Sequence, residues 1–132
     1  MMKKLILTLS ILGTVVAYAA TNRNGLYRGT FVSGQETQVE VQFDLKNDVV
    51  ENAKFRTLAY KDQDYLKNKE LELEKAKYEA ALKATDGKKL SEALELLYTP
   101  ANIEKAGASV RATKIRAAMQ NAVNSGVYAP AK

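Results

Sequence analysis

From Gln38 to Leu45 the chain alternates polar and apolar residues without a break. Val39, Val41, Phe43 and Leu45 fall on one side, and Gln38, Glu40, Gln42 and Asp44 on the other. A period of two over a full strand length predicts a half-buried antiparallel strand, because successive side chains leave a strand on opposite faces. The apolar side of a small sheet must be covered by other elements, so an all-helical fold is excluded and a layer packed on this sheet is required.

The flanking segments supply both. Asn24 to Val32 reads as a turn and a short strand, with Leu26, Arg28 and Thr30 alternating with Tyr27 and Phe31 around Gly29. A glycine inside a strand marks a bulge or a close backbone contact. Ser33-Gly34 breaks the chain before the alternating strand, and Lys46-Asn47-Asp48 provides turn chemistry after it. Val49 to Tyr60 holds a further strand, with Ala53, Phe55, Thr57 and Ala59 set against Lys54, Arg56, Leu58 and Tyr60. Beyond Tyr60 the period lengthens to that of a helix. Tyr65, Leu66, Lys69, Leu73, Ala76, Lys77, Ala80 and Ala81 mark a first helix, entered at Asp62 or Asp64 and ended by Gly87. A second runs from about Lys89 to Tyr98, with Leu90, Ala93, Leu94 and Leu97 inward, and Pro100 stops it. The last begins between Ser109 and Thr113, buries Ile115, Ala118, Met119, Ala122 and Val123, and finishes at Gly126. The expected fold is α+β: a small antiparallel sheet covered by about three helices, forming a single domain over residues 20–132.

Residues 1–19 carry a different signal. Lys3 and Lys4 form a positive start, Leu5 to Val16 an apolar run, and Ala17-Tyr18-Ala19 a small-residue cleavage site, the pattern of a secretory signal peptide. The apolar run is shorter than the ~20 residues that span a bilayer. The expected product is therefore exported, periplasmic or extracellular, with no integral membrane segment after cleavage. Removing Lys3 and Lys4 and no acid takes the formal charge from +5 to +3. The remaining lysines interleave with glutamates from Lys61 to Glu95, which is a solvated helix surface and not a nucleic-acid face. The chain has no His and no Cys, hence no imidazole base, no thiolate and no disulfide. Redox chemistry here would need a bound organic cofactor.

Ala106-Gly107-Ala108-Ser109-Val110-Arg111-Ala112-Thr113 opens the last helical pattern. Small residues admit a ligand close to the backbone, Ser109 and Thr113 bring hydroxyls, unpaired N–H groups at a helix start favour an anion, and three cations, Arg111, Lys114 and Arg116, lie within the same stretch. The same composition also makes an ordinary turn and helix cap.

Two blocks of this sequence resemble the FMN-binding domain family. Asn24-Gly25-Leu26-Tyr27-Arg28-Gly29-Thr30, followed by Val39 to Val50, is similar to that family's opening turn and hairpin, and Ala106-Gly107-Ala108-Ser109 before a helix resembles its S-G-A-T motif. Such domains occur in flavin-carrying subunits of sodium-pumping and Rnf-type redox complexes and in small exported electron carriers. The resemblance implies FMN as cofactor, with Ala106, Gly107, Ala108, Ser109, Val110, Arg111 and Thr113 around its phosphate. It also implies a membrane redox complex or a flavin transferase as partner. Ala106 stands where the motif has its first serine, Ser109 where it has threonine, and Arg111 where a second hydroxyl residue often occurs. Serine can form a phosphoester, so Ser109 is the candidate for covalent attachment. Arg111 is the candidate for a charge-assisted noncovalent contact. Tyr27, Tyr60, Tyr65 and Tyr98 are candidates to stack on the ring, and each also suits an ordinary core or rim position. Asp62 and Asp64 read as helix-entry residues and not as a catalytic pair. The competing function is a secreted structural or interaction protein that keeps the fold and has lost the flavin.

Overall fold

The structure, a computed structural model, describes residues 22–107 and 110–130. The signal-peptide pattern, Ala108 and Ser109 lie outside them. Five antiparallel strands form one sheet: β1 (Gly25–Ser33), β2 (Glu36–Lys46), β3 (Val49–Tyr60), β4 (Gln63–Asp64) and β5 (Ala129–Pro130). Their spatial order is β4-β3-β2-β1-β5, a meander completed by the C-terminal strand beside β1. Three helices, α1 (Glu72–Lys83), α2 (Leu90–Leu96) and α3 (Ala112–Ser125), accompany the sheet, so the α+β architecture is as expected.

β2 follows its sequence pattern from Val39 onward, with Val39, Val41, Phe43 and Leu45 all buried. Phe43 stacks on Tyr27 of β1, ring centres 5.7 Å apart and planes 8° from parallel. The β2–β3 turn places Asn47 and Asp48 both at positive φ, the left-handed geometry that matches strand twist in a tight hairpin. Asn24 Oδ1 accepts from the Asn47 N–H at 2.8 Å and fixes the turn against the start of β1.

Gly29 explains how α3 lies on the sheet. A Cβ there would overlap the Ala118 carbonyl oxygen and the Ala122 nitrogen, so the helix backbone rests directly on the strand. Of the two possibilities for this glycine, close approach is the one realised. Ala112, Ile115, Ala118, Met119 and Ala122 form the buried face of α3, and Gly126 ends it at φ 85°. Val123, expected inside, is half-buried against the rim of the core.

Four expectations need correction, and all trace to local backbone geometry. Gln38 belongs to the outward set by alternation, yet it is buried. It is the extra residue where Phe31 pairs with Val39 but Val32 pairs with Thr37, and such a bulge re-aims a side chain. In β3 the same device occurs twice. Asn52, at φ 55°, and Arg56 are extra residues opposite β2, so Val50, Ala53 and Leu58 are the buried positions, and Leu58 shares the inner face with Ala53, against which alternation sets it. Asp62 and Asp64 do not enter a helix. Lys61 and Asp62, both at positive φ, turn β3 into β4, where Asp64 is a strand residue whose carboxylate accepts from the Leu66 N–H at 2.9 Å. α1 itself starts at Glu72, after a single 3₁₀ turn at Lys69–Leu71 capped by Asn68. Its inward residues are Ala81 and Leu82, while Leu73 is 82% exposed and Ala76 is also exposed. α2 buries Leu90 and Ala93, with Leu97 following, as its spacing predicts. Pro100 opens a 3₁₀ turn, Pro100–Asn102, that leads into the segment before α3.

The connection from α1 to α2 is strapped to the start of β3. Gly87 N–H donates to Val50 O at 2.7 Å, Val50 N–H to Lys88 O at 2.8 Å, and Leu90 N–H to Asp48 O at 2.9 Å. The Asp86 carboxylate takes the Ala53 N–H at 2.9 Å. These bonds satisfy backbone groups of the β2–β3 turn and of the β3 edge, which β4 covers only at Ala59 and Tyr60.

Candidate functional site

The first turn of α3 borders a cleft of about 350 Å³ lined by Phe31, Pro100, Val110, Arg111, Ala112, Thr113 and Lys114. That volume is within the range of small-molecule sites. α3 runs antiparallel to β1, and the close approach at Gly29 brings the helix start to the Phe31 end of the strand.

The structure divides the residues that the sequence grouped together. Ala106 and Val110 are buried members of the core, anchoring the segment between the second 3₁₀ turn and α3. Gly107 makes the turn at φ 82° and with Ala106 lines a second, more open depression beside Lys77. Arg111 and Thr113 are exposed at the cleft, and Val110 forms part of its wall. Arg111 is the N-cap of α3, and no side chain caps that end. Its N–H points to the Tyr78 hydroxyl at 3.4 Å.

Lys114, one of the three cations that the sequence places in this stretch, is held by partners from distant parts of the chain. Its Nζ donates to Gln38 Oε1 at 2.6 Å and lies 4.5 Å from the Tyr60 ring centre and 5.8 Å from that of Phe31. Cation–π attraction of this kind holds an ammonium at an aromatic face. Partial burial, and then the nearby Arg111 guanidinium, pull the Lys114 pKa below the usual lysine value, against opposing pulls from Tyr60 and Glu36. Among the described residues neither Arg111 nor Lys114 has a carboxylate within salt-bridge distance. Two like charges are thus held close beside one cleft, an arrangement that an anionic occupant relieves.

Behind Lys114 lies a chain of polar contacts. Gln38 Nε2 donates to Glu36 Oε1 at 2.9 Å. The Glu36 carboxylate also accepts from the Lys61 N–H at 3.1 Å and the Asp62 N–H at 2.8 Å. The bond from Asp62, followed by that from Gln38, holds the Glu36 carboxyl below its usual pKa.

The tyrosines separate by role. Tyr27 is core, its hydroxyl donating to Arg23 O at 2.6 Å, and burial raises its pKa. Tyr98 is exposed, with the Arg116 guanidinium 4.2 Å over its ring. Tyr60 is partly exposed beside Lys114, and Tyr65 meets Tyr78 edge to face at 5.9 Å. Tyr78, which no motif singles out, brings its hydroxyl from α1 to the Arg111 N–H.

The donor set suits a phosphate monoester on a planar aromatic group. Such a phosphate carries about −1.5 to −2 charge at neutral pH, matched by two cations, and Phe31 adds an aromatic ring to the lining of the cleft. Comparisons with protein-family models, with curated proteins and with solved structures give no match for this chain. Among the described residues no helix is long and apolar enough to cross a membrane.

Proposed function

We propose that this chain is an exported FMN-binding protein that serves as an electron carrier, taking electrons from, or handing them to, a membrane redox complex. The observation that carries the reading is the pair of cations, Arg111 and Lys114, with no carboxylate at salt-bridge distance among the described residues, at a cleft that Phe31 also lines. The order and spacing of the two blocks that resemble FMN-binding domains support it. Bound FMN supplies one- and two-electron chemistry that no side chain of a protein without Cys and His offers. The chain's part is to hold the phosphate at Arg111 and to shelter the ring.

The purified protein should quench FMN fluorescence on titration. Arg111→Ala removes a charge-assisted contact and should weaken FMN binding by about 1.5–3 kcal/mol, roughly ten- to a hundredfold. Riboflavin, which lacks the phosphate, should be nearly indifferent to that change. Whole-protein mass after co-expression with a flavin transferase distinguishes the attachment modes. A flavin adduct that Ser109→Ala abolishes means an ester at Ser109, and a dialysable flavin means contact alone. If wild type binds no FMN under either condition, the carrier reading falls and an interaction protein that keeps the fold takes its place. Recovered from its host, the protein should begin at Ala20 or Thr21, and N-terminal sequencing that finds Met1 on soluble cytoplasmic protein would overturn export.

A further inference from the structure

A lysine in the first turn of a helix ordinarily moves freely in solvent, but the Lys114 ammonium is held from three sides. Gln38 Oε1 accepts from it at 2.6 Å, and the rings of Tyr60 and Phe31 lie 4.5 and 5.8 Å away. The Gln38 amide is oriented by its other end. Its Nε2 donates to the Glu36 carboxylate, so its oxygen must turn toward Lys114; the opposite orientation would set carbonyl against carboxylate and amino group against ammonium. Glu36 is fixed in turn by the N–H groups of the Lys61–Asp62 turn. The acid therefore stands one amide away from the cation, which orders Lys114 without neutralising it.

We propose that Lys114 is the second cation of the phosphate site, and that Gln38 and Glu36 are positioning residues that act through it to hold its ammonium at the cleft beside Arg111. The proposal rests on the flavin reading and extends it to three residues outside the motif. Gln38 is available for this role because the bulge opposite Phe31 and Val32 turns it inward, so an irregularity of β2 becomes part of the binding apparatus. Lys114 forms one hydrogen bond among the described residues, and an ammonium has three donors, so two remain for a phosphate. A glutamate at position 38 would pair with Lys114 directly and cancel the charge, whereas the neutral amide leaves it for the ligand.

FMN and riboflavin titrations of four proteins test this: wild type, Lys114→Gln, Lys114→Arg and Gln38→Met, each checked by thermal melt for a native transition. Lys114→Gln should weaken FMN about ten- to a hundredfold and leave riboflavin unchanged, while Lys114→Arg should keep most of the affinity. Gln38→Met removes the anchor and not the charge. It should weaken FMN by roughly three- to tenfold, again with riboflavin unchanged, an asymmetry that a merely structural residue would not produce. The proposal is overturned if Lys114→Gln binds FMN within about twofold of wild type, or if FMN and riboflavin weaken together. In both cases wild-type FMN binding leaves the flavin reading standing. Failure of wild type to bind FMN overturns that reading, and this proposal with it.

Discussion

Gly29→Ala should destabilise the domain by about 3 kcal/mol or more, since overpacking against rigid backbone lies at the high end of substitution effects. The alanine Cβ would overlap the Ala118 carbonyl oxygen and the Ala122 nitrogen and lie 2.7 Å from the Ala122 Cα, all of them helix backbone that cannot yield by a rotamer change. α3 would have to lift from β1, opening the core around Ala118 and Ala122 and displacing Arg111 and Lys114 together. Gly34→Ala is the control. Gly34 lies in the β1–β2 turn at φ 62° with nothing within 4 Å of where the methyl would sit, so only backbone preference opposes the change, about 1 kcal/mol. Urea melts of the two variants should differ clearly in midpoint, and equal midpoints would mean that α3 does not rest on Gly29.

Phe43→Ala is expected to cost roughly 3–5 kcal/mol, a large share of the roughly 5–15 kcal/mol that holds a small domain together. Phe43 is fully buried and stacked on Tyr27, so its loss leaves a cavity at the centre of the β1–β2 pair. Gln42→Ala, one residue away on the wet face, removes a 2.8 Å bond from Arg28 Nε and should cost less than about 1 kcal/mol. Denaturant melts that rank the two equally would contradict the register of β2.

The elements legible in the sequence are those in which one regular period decides which side is buried. Val39 to Leu45 and Ile115 to Ala122 are of this kind, and both keep their expected inward faces. Bulges are where the reading breaks down. No residue type at Gln38 or Arg56 announces an extra position, because a bulge is set by how two strands twist against each other, and its effect is to reverse every side chain beyond it. Lys61-Asp62 misleads for a related reason. Aspartate before a helical pattern reads as a cap, but here it takes positive φ in a hairpin turn, without the glycine that usually marks one. Leu73 sits at helical spacing with Ala76 and Ala80, yet the inward side of α1 near its end is set by Ala81 and Leu82, which pack toward the sheet. The candidate site is half visible in the sequence. Arg111 and Thr113 declare themselves by chemistry at a helix start. Lys114 is visible there too as a cation, but its anchor is not, because Gln38 stands 76 positions earlier in the chain.

The antiparallel course of α3 along β1 also decides which way the molecule faces its surroundings. Gly25 pairs with Pro130 near the carboxyl end of the helix, whereas Arg111 and Lys114 stand at its amino end, about 20 Å away for 14 residues of α-helix. Asn22, bonded to Asp48 of the β2–β3 turn, and Pro130 both lie at the pole opposite the cleft, so an affinity tag, a surface linkage or a fused reporter attached at either would be moored there. Immobilised by either route, the protein would present the cleft outward, so a docking partner could approach it past the Ser33–Gln35 and Lys61–Asp62 turns without crossing the mooring point.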